Sequence, residues 1–163
     1  MINFLSFNGI VTRISDFPIG QNAESAGCYK LFSVANGYGN EVNFVVSPTT
    51  YFVDHVMVVV GDRITGFYDA NAPVPLIFPP QYRALVMTKD NPYQNVKVDY
   101  FNSEFVSSDG SLKLNISPNT LILLENGQSF IGSVANRNLI VVYGATTRSI
   151  PAQTTPYKII VMC

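Results

Sequence analysis

The chain contains a copy of part of itself. Val42 to Thr50 reads VNFVVSPTT, and 70 positions later Leu112 to Thr120 reads LKLNISPNT, so Ser-Pro-x-Thr twice follows a β-rich run. Ile64 to Met87 carries Tyr68-x-Ala70 and Tyr82-Arg83-x-x-Val86-Met87. Leu139 to Met162, 75 positions on, carries Tyr143-x-Ala145 and Tyr157-Lys158-x-x-Val161-Met162. Three of nine and five of 24 positions are identical, against about two in all from composition. A repeat of this length means one supersecondary unit used twice. The 163 residues therefore divide into a unit over 1–90 and a shorter, divergent one over 91–163. Little in the second unit corresponds to residues 16–40. A unit of the smaller size buries too little surface to be robust alone, so the two are expected to pack together.

Within each unit Val, Ile, Thr, Phe and Tyr form short runs separated by Gly, Pro, Asn, Asp and Ser, the pattern of strands joined by turns. The expected strands are Phe4 to Ile14, Tyr29 to Val34, Val42 to Val46, Arg63 to Tyr68, Arg83 to Lys89, Val96 to Phe101, Leu112 to Ile116, Leu139 to Tyr143 and Lys158 to Met162. Gly9 interrupts the first of these, where a small residue allows a bulge or bend that curls a sheet. Asn36-Gly37, Asp109-Gly110 and Asn126-Gly127 read as turns. A long, bendable first strand followed by four more in 90 residues suits a small Greek-key barrel that limits its exposed edges by near-closure. The expected fold is all-β, with little or no helix: two tandem small OB-like Greek-key β-barrels, or one composite sheet structure. Thr50 to Val59, where many such barrels place a helix, is rich in β-branched residues instead.

The run Gly61-Asp62, Tyr68-Asp69, Pro73, Pro75 and Leu76-Ile77-Phe78-Pro79-Pro80-Gln81-Tyr82 with Ala84 resembles a small OB-like β-barrel module of Firmicutes proteins. That module is sometimes adjacent to copper-amine-oxidase-N-terminal-like surface repeats, and the likeness covers about residues 1–90. The resemblance implies a bacterial, non-catalytic accessory module and carries over no catalytic residue.

Composition narrows the function classes. Ten Lys plus Arg against 11 Asp plus Glu give no field that would draw a polyanion or an anionic membrane from a distance. The cations are dispersed, whereas affinity for phosphate backbones rests on clustered ones, so nucleic acid is disfavoured as a partner. One His and two Cys leave little for metal or nucleophile chemistry, and no cofactor or metal site is expected. His55 beside Asp54 could in principle serve Cys28 as a base, but no third group or nucleophile motif accompanies them. Pro79-Pro80-Gln81-Tyr82 has the form of a WW-domain ligand; Pro156-Tyr157 before the last strand favours a structural role for proline and tyrosine at both places. Val56 to Val60 is the longest apolar run, far too short to span a bilayer. The N-terminal residues show no leader, which points to the cytoplasm, although a removed leader would leave the same sequence on a cell surface or secreted.

The expected function is non-catalytic binding or scaffolding, with a protein or a neutral polymer as the contact and Tyr51, Tyr68, Tyr82, Tyr93, Tyr100 and Tyr143 as the candidate surface. Oligosaccharide or single-stranded nucleic-acid binding on those aromatics is the alternative. A hydrolase with an unrecognised site is the third.

Overall fold

The computed structural model describes residues 1–18 and 24–163. About 47% of these lie in strands or bridges and about 2% in helix, which makes the chain all-β. Its contacts cluster into two units, Met1–Asp90 and Asn91–Cys163.

Unit 1 contains β1 (Phe4–Asp16), β2 (Lys30–Ala35), β3 (Glu41–Val46), β4 (Tyr51–Phe52), a single 3-10 turn at Val53–His55, β5 (Arg63–Asp69), β6 (Gln81–Arg83) and β7 (Val86–Lys89). They form one sheet in the order β4-β7-β5-β1-β2-β3-β6. The long β1 serves two partners. Its first half, Phe4 to Ile10, runs antiparallel to β5, and from Ile10 onward it pairs with β2. The register slips between Val11 and Arg13, so the bulge lies at Thr12 and not at Gly9. Gly9 instead lets two backbones meet. A Cβ there would sit 2.6 Å from the Ala35 carbonyl oxygen, a close approach that no other residue allows.

The two ends of this sheet belong to one stretch of chain. β6 lies parallel on β3, whereas β7 runs antiparallel to β5. The change of partner occurs between adjacent residues: Ala84 N donates to Val45 O at 3.0 Å and Leu85 N to Phe67 O at 2.8 Å. The pairing thus runs round a ring through adjacent residues of one segment. Inside it Val11, Val34, Phe44, Ile64 and Met87 are fully buried. Gly66 makes room for Phe44, whose ring would lie 2.5 Å from an added Cβ.

Unit 2 contains β8 (Asn95–Phe101), β9 (Leu112–Leu114), β10 (Leu121–Leu124), β11 (Arg137–Tyr143), β12 (Ala152–Thr154) and β13 (Lys158–Val161). They fall into a four-stranded sheet, β10-β13-β11-β8, and a two-stranded one, β12-β9. Bridges from Phe101 to Ser107 and from Val106 to Lys113 carry the pairing from β8 to β9. Val106 and Ser107 therefore stand where unit 1 has the whole of β2. The connection is a tight turn in which Asn102 Oδ1 accepts from the amides of Glu104 and Val106. That replacement is why the second unit is shorter.

From β3 onward the pairings correspond strand by strand, but at three different offsets. Tyr51 pairs with Val86 as Leu121 does with Lys158, and Asn43 with Gln81 as Lys113 does with Gln153. Gly66 pairs with Met87 as Val141 does with Ile159. On β3 and β4 the offset is 70, on β5 it is 75, and on β6 and β7 it is 72. The second unit thus lacks three residues in the connection before its last two strands. Tyr82 corresponds to Thr154 and not to Tyr157, and the matching of Val86-Met87 with Val161-Met162 is out of register. The true equivalents there are Pro79 with Pro151 and Gln81 with Gln153, and both prolines follow cis peptide bonds.

The shared Ser-Pro-x-Thr has one geometry in both units. Ser47 N donates to Thr50 Oγ1 and Thr50 Oγ1 to Ala84 O at 2.8 Å. Ser117 N likewise donates to Thr120 Oγ1, and Thr120 Oγ1 to Pro156 O at 2.9 Å. The motif ties the turn after the third strand to the point where the last strand changes partner. Unit 2 has its own core of Phe101, Leu112, Leu114, Leu139, Val141 and Ile159.

Candidate functional site

The connection between β5 and β6, residues 70–80, carries four of the ten prolines in the chain and belongs to no strand. Proline fixes φ and removes amide donors, which stiffens such a path. Its start is anchored by Asp69, whose Oδ1 accepts from Asn71 N at 2.9 Å and Asn3 N at 3.0 Å. Its end is anchored where Asn43 N donates to Pro80 O at 2.8 Å. Between these points Leu76 is 101% and Phe78 81% exposed.

Under this connection lies a cleft of about 510 Å³. Val45, Pro73, Val74, Pro75 and Leu85 supply apolar walls, with Tyr82 beside them. Tyr82 is half-buried because its ring stacks on Tyr68, centroids 3.9 Å apart and planes within 8°. Burial, then the neighbouring Tyr82, push the Tyr68 phenol up to about 12, so this ring is neutral in the working range of pH. Asp69, Gln81 and Arg83 give the cleft its polar groups.

Of the six tyrosines read from the sequence, the structure brings together Tyr68 and Tyr82. Tyr51 is edge-on to His55 at 5.8 Å. Tyr93 is 84% exposed in the turn before β8. Tyr100 is half-buried and donates to Asn136 Oδ1 at 3.3 Å. Tyr143 packs on the core of unit 2, where burial and then the Asp109 charge raise its phenol. The Pro-Pro-Gln-Tyr segment is built into β6 through Gln81 and Tyr82, so its tyrosine is occupied.

Sequence reasoning missed Val45 and Leu85, which face the cleft only because the last strand changes partner beside them. Cys28 is exposed, and its Sγ donates to Glu24 O at 3.5 Å. No hydrogen bond among the described residues joins it to His55. Among the described residues no three His, Cys, Asp or Glu are grouped so as to hold a metal ion, and no helix is long and apolar enough to cross a membrane. The chain matches no protein-family model, no curated protein and no solved structure.

Proposed function

We propose that the chain is a non-catalytic binding module made of two consecutive OB-type β-barrels, and that the cleft of unit 1 receives an extended, uncharged segment of a partner protein. The pairing order supports the barrel reading. Counting β6 and β7 as one strand, it runs first-second-third-fifth-fourth-first, with the third and fifth parallel. In barrels of that type the loops after the first and fourth strands flank the ligand. Phe17, just after β1, and residues 72–75 line this cleft.

The observation that carries the protein-partner reading is the apolar character of the connection. Val74 and two prolines line the cleft while Leu76 and Phe78 stand in solvent beside it. Large apolar side chains held out on a stiffened loop mark contact surfaces. A segment laid in the cleft would pack on Tyr82 and the prolines and meet the amide of Gln81. The dispersed cations argue against a phosphate backbone as ligand.

The test is a binding screen of the full chain against arrayed uncharged peptides containing proline or aromatic residues, with a fluorescent single-stranded oligonucleotide at low salt as the competing arm. Saturable peptide binding that Tyr82→Ala and Leu76→Ser each weaken supports the reading. Binding of the oligonucleotide alone, falling steeply with added salt, overturns it.

A further inference from the structure

We infer that unit 2 carries a second binding site at the place equivalent to the unit 1 cleft, lined for a neutral, polyhydroxylated ligand such as an oligosaccharide. A trough of about 460 Å³ lies there. Its walls correspond to those of the first cleft at the offsets set by strand pairing. Asn115 stands where unit 1 has Val45, and Thr147 where it has Ala72. Gln153 matches Gln81, and Tyr157 takes the place of Leu85. Two such hollows at one position in two diverged sequences follow from the shared fold. Their different linings do not.

The differences share one direction. Both charged groups of the first cleft are gone: Asp69 is replaced by Gly144 and Arg83 by Thr155. Apolar walls have become amides and hydroxyls. An uncharged lining of this kind offers no counter-charge to a phosphate or carboxylate, but it matches a sugar, whose hydroxyls both donate and accept. Asn115 Nδ2 donates to Gln153 Oε1 at 3.2 Å. That bond fixes the two planar amides together and leaves Asn115 Oδ1 and Gln153 Nε2 as an acceptor and a donor for a ligand.

The trough is also held in shape. Gln153 N donates to Thr147 Oγ1 and Thr147 N to Gln153 O, each at 2.9 Å, which pins the wall carrying Thr147 against β12. Tyr157 is pinned through its backbone, donating to Val142 O at 2.9 Å and accepting from Leu121 N at 3.1 Å. The residue is nevertheless 56% exposed, and its ring offers an aromatic face against which the C–H side of a sugar ring can lie. The ring reaches across Gly144, where an added Cβ would be 2.1 Å from the tyrosine oxygen. Fixed walls of this sort reduce the ordering cost of binding.

The experiment is an amide-shift titration of the full ¹⁵N-labelled chain with uncharged hexasaccharides (β-1,4-glucose, α-1,4-glucose and β-1,4-N-acetylglucosamine), each up to about 10 mM, above the millimolar range of weak complexes. At least one is expected to give saturable shifts at Asn115, Gln153 and Tyr157. Its affinity should fall at least about tenfold in Gln153→Ala and in the exposed-site variant Asn115→Ala, as for removal of a central contact, and be unchanged in Tyr82→Ala. The last variant separates this site from the peptide reading of unit 1, because it should abolish only that one. Absence of saturable shifts with all three sugars, or shifts that survive both unit 2 substitutions, overturns the inference.

Discussion

The two units solve one folding problem with different side chains. In unit 1 the core position on β3 is Phe44 and the facing position on β5 is Gly66; the equivalent residues in unit 2 are Leu114 and Val141. One large ring over no side chain is exchanged for two of middling size, so the volume is kept while its distribution changes. The β2–β3 turn of unit 1 is organised by a neutral amide, Asn36 Oδ1 accepting from Tyr38 N and Asn40 N. The corresponding turn of unit 2 is organised by a carboxylate: Asp109 accepts from Ser107 and Ser111 and pairs with Lys97. What the units hold in common is the closure of the ring, and what separates them is the surface above it. Closure is a matter of backbone geometry and tolerates many side chains, whereas a cleft takes its chemistry from whichever residues line it.

The core exchange gives the largest effect. Gly66→Val is expected to lower unfolding free energy by roughly 3 kcal/mol or more, since the added atoms meet a fixed aromatic ring. Adding Phe44→Leu, which reproduces the pairing of unit 2, should restore more than half of that in urea unfolding. A double variant no better than the single one would break the equivalence of the two cores. Next come the closure hydroxyls. Thr120→Ala removes the donor to Pro156 O at a buried site and should cost about 1–3 kcal/mol. Thr50→Ala, at a half-buried site, should cost less. Equal or reversed values would show that the motif does not do the same work twice.

A smaller change in stability is expected at Gly144. The added Cβ of Gly144→Ala meets the far end of an exposed tyrosine, which can swing aside. Loss under about 1 kcal/mol should therefore accompany a displaced Tyr157 ring, visible as shifted ring-proton resonances. A cost as large as that at Gly66 would show that Tyr157 cannot move.

The smallest effect separates the two turns by pH. Burial alone would raise the Asp109 carboxyl, but hydrogen bonds from Lys97, Ser107 and Ser111 outweigh it and hold the group well below the ordinary carboxylate range. A depressed native value means stability that is present above the unfolded value, near 4, and lost as pH falls through the native one. Hydrogen exchange followed from about pH 5 downward should show unit 2 amides near Asp109 loosening before those of the Asn36 turn. Asp109→Asn should flatten that dependence; an unchanged slope would assign it to other carboxylates.

Much of this fold is legible in the sequence. Ser-Pro-x-Thr marks the same turn in both units, and the β-branched runs mark nearly every long strand. Short elements escaped: Leu121–Leu124 is apolar without alternation, and Tyr51–Phe52 is too brief to carry a pattern. The bulge escaped too, because glycine at position 9 accommodates the carbonyl of Ala35, while the slip occurs where β1 passes from β5 to β2. The misregister of the last strands has a simple cause. Tyr82 and Tyr157 each precede an apolar strand, and matching them without a gap conceals a deletion of three residues in the preceding connection. Gln81 and Gln153, each lining the cleft of its own unit, were hidden by that shift.

By itself the sequence determined that the chain is built of strands and where the two Ser-Pro-x-Thr turns lie. These are local properties, carried by side-chain type and spacing over a few residues. Only the tertiary structure decided which residues surround a cleft. Val45 and Leu85, or Asn115 and Tyr157, are far apart along the chain and meet because the last strand leaves one neighbour for another between adjacent amides, a long-range pairing that no local pattern encodes.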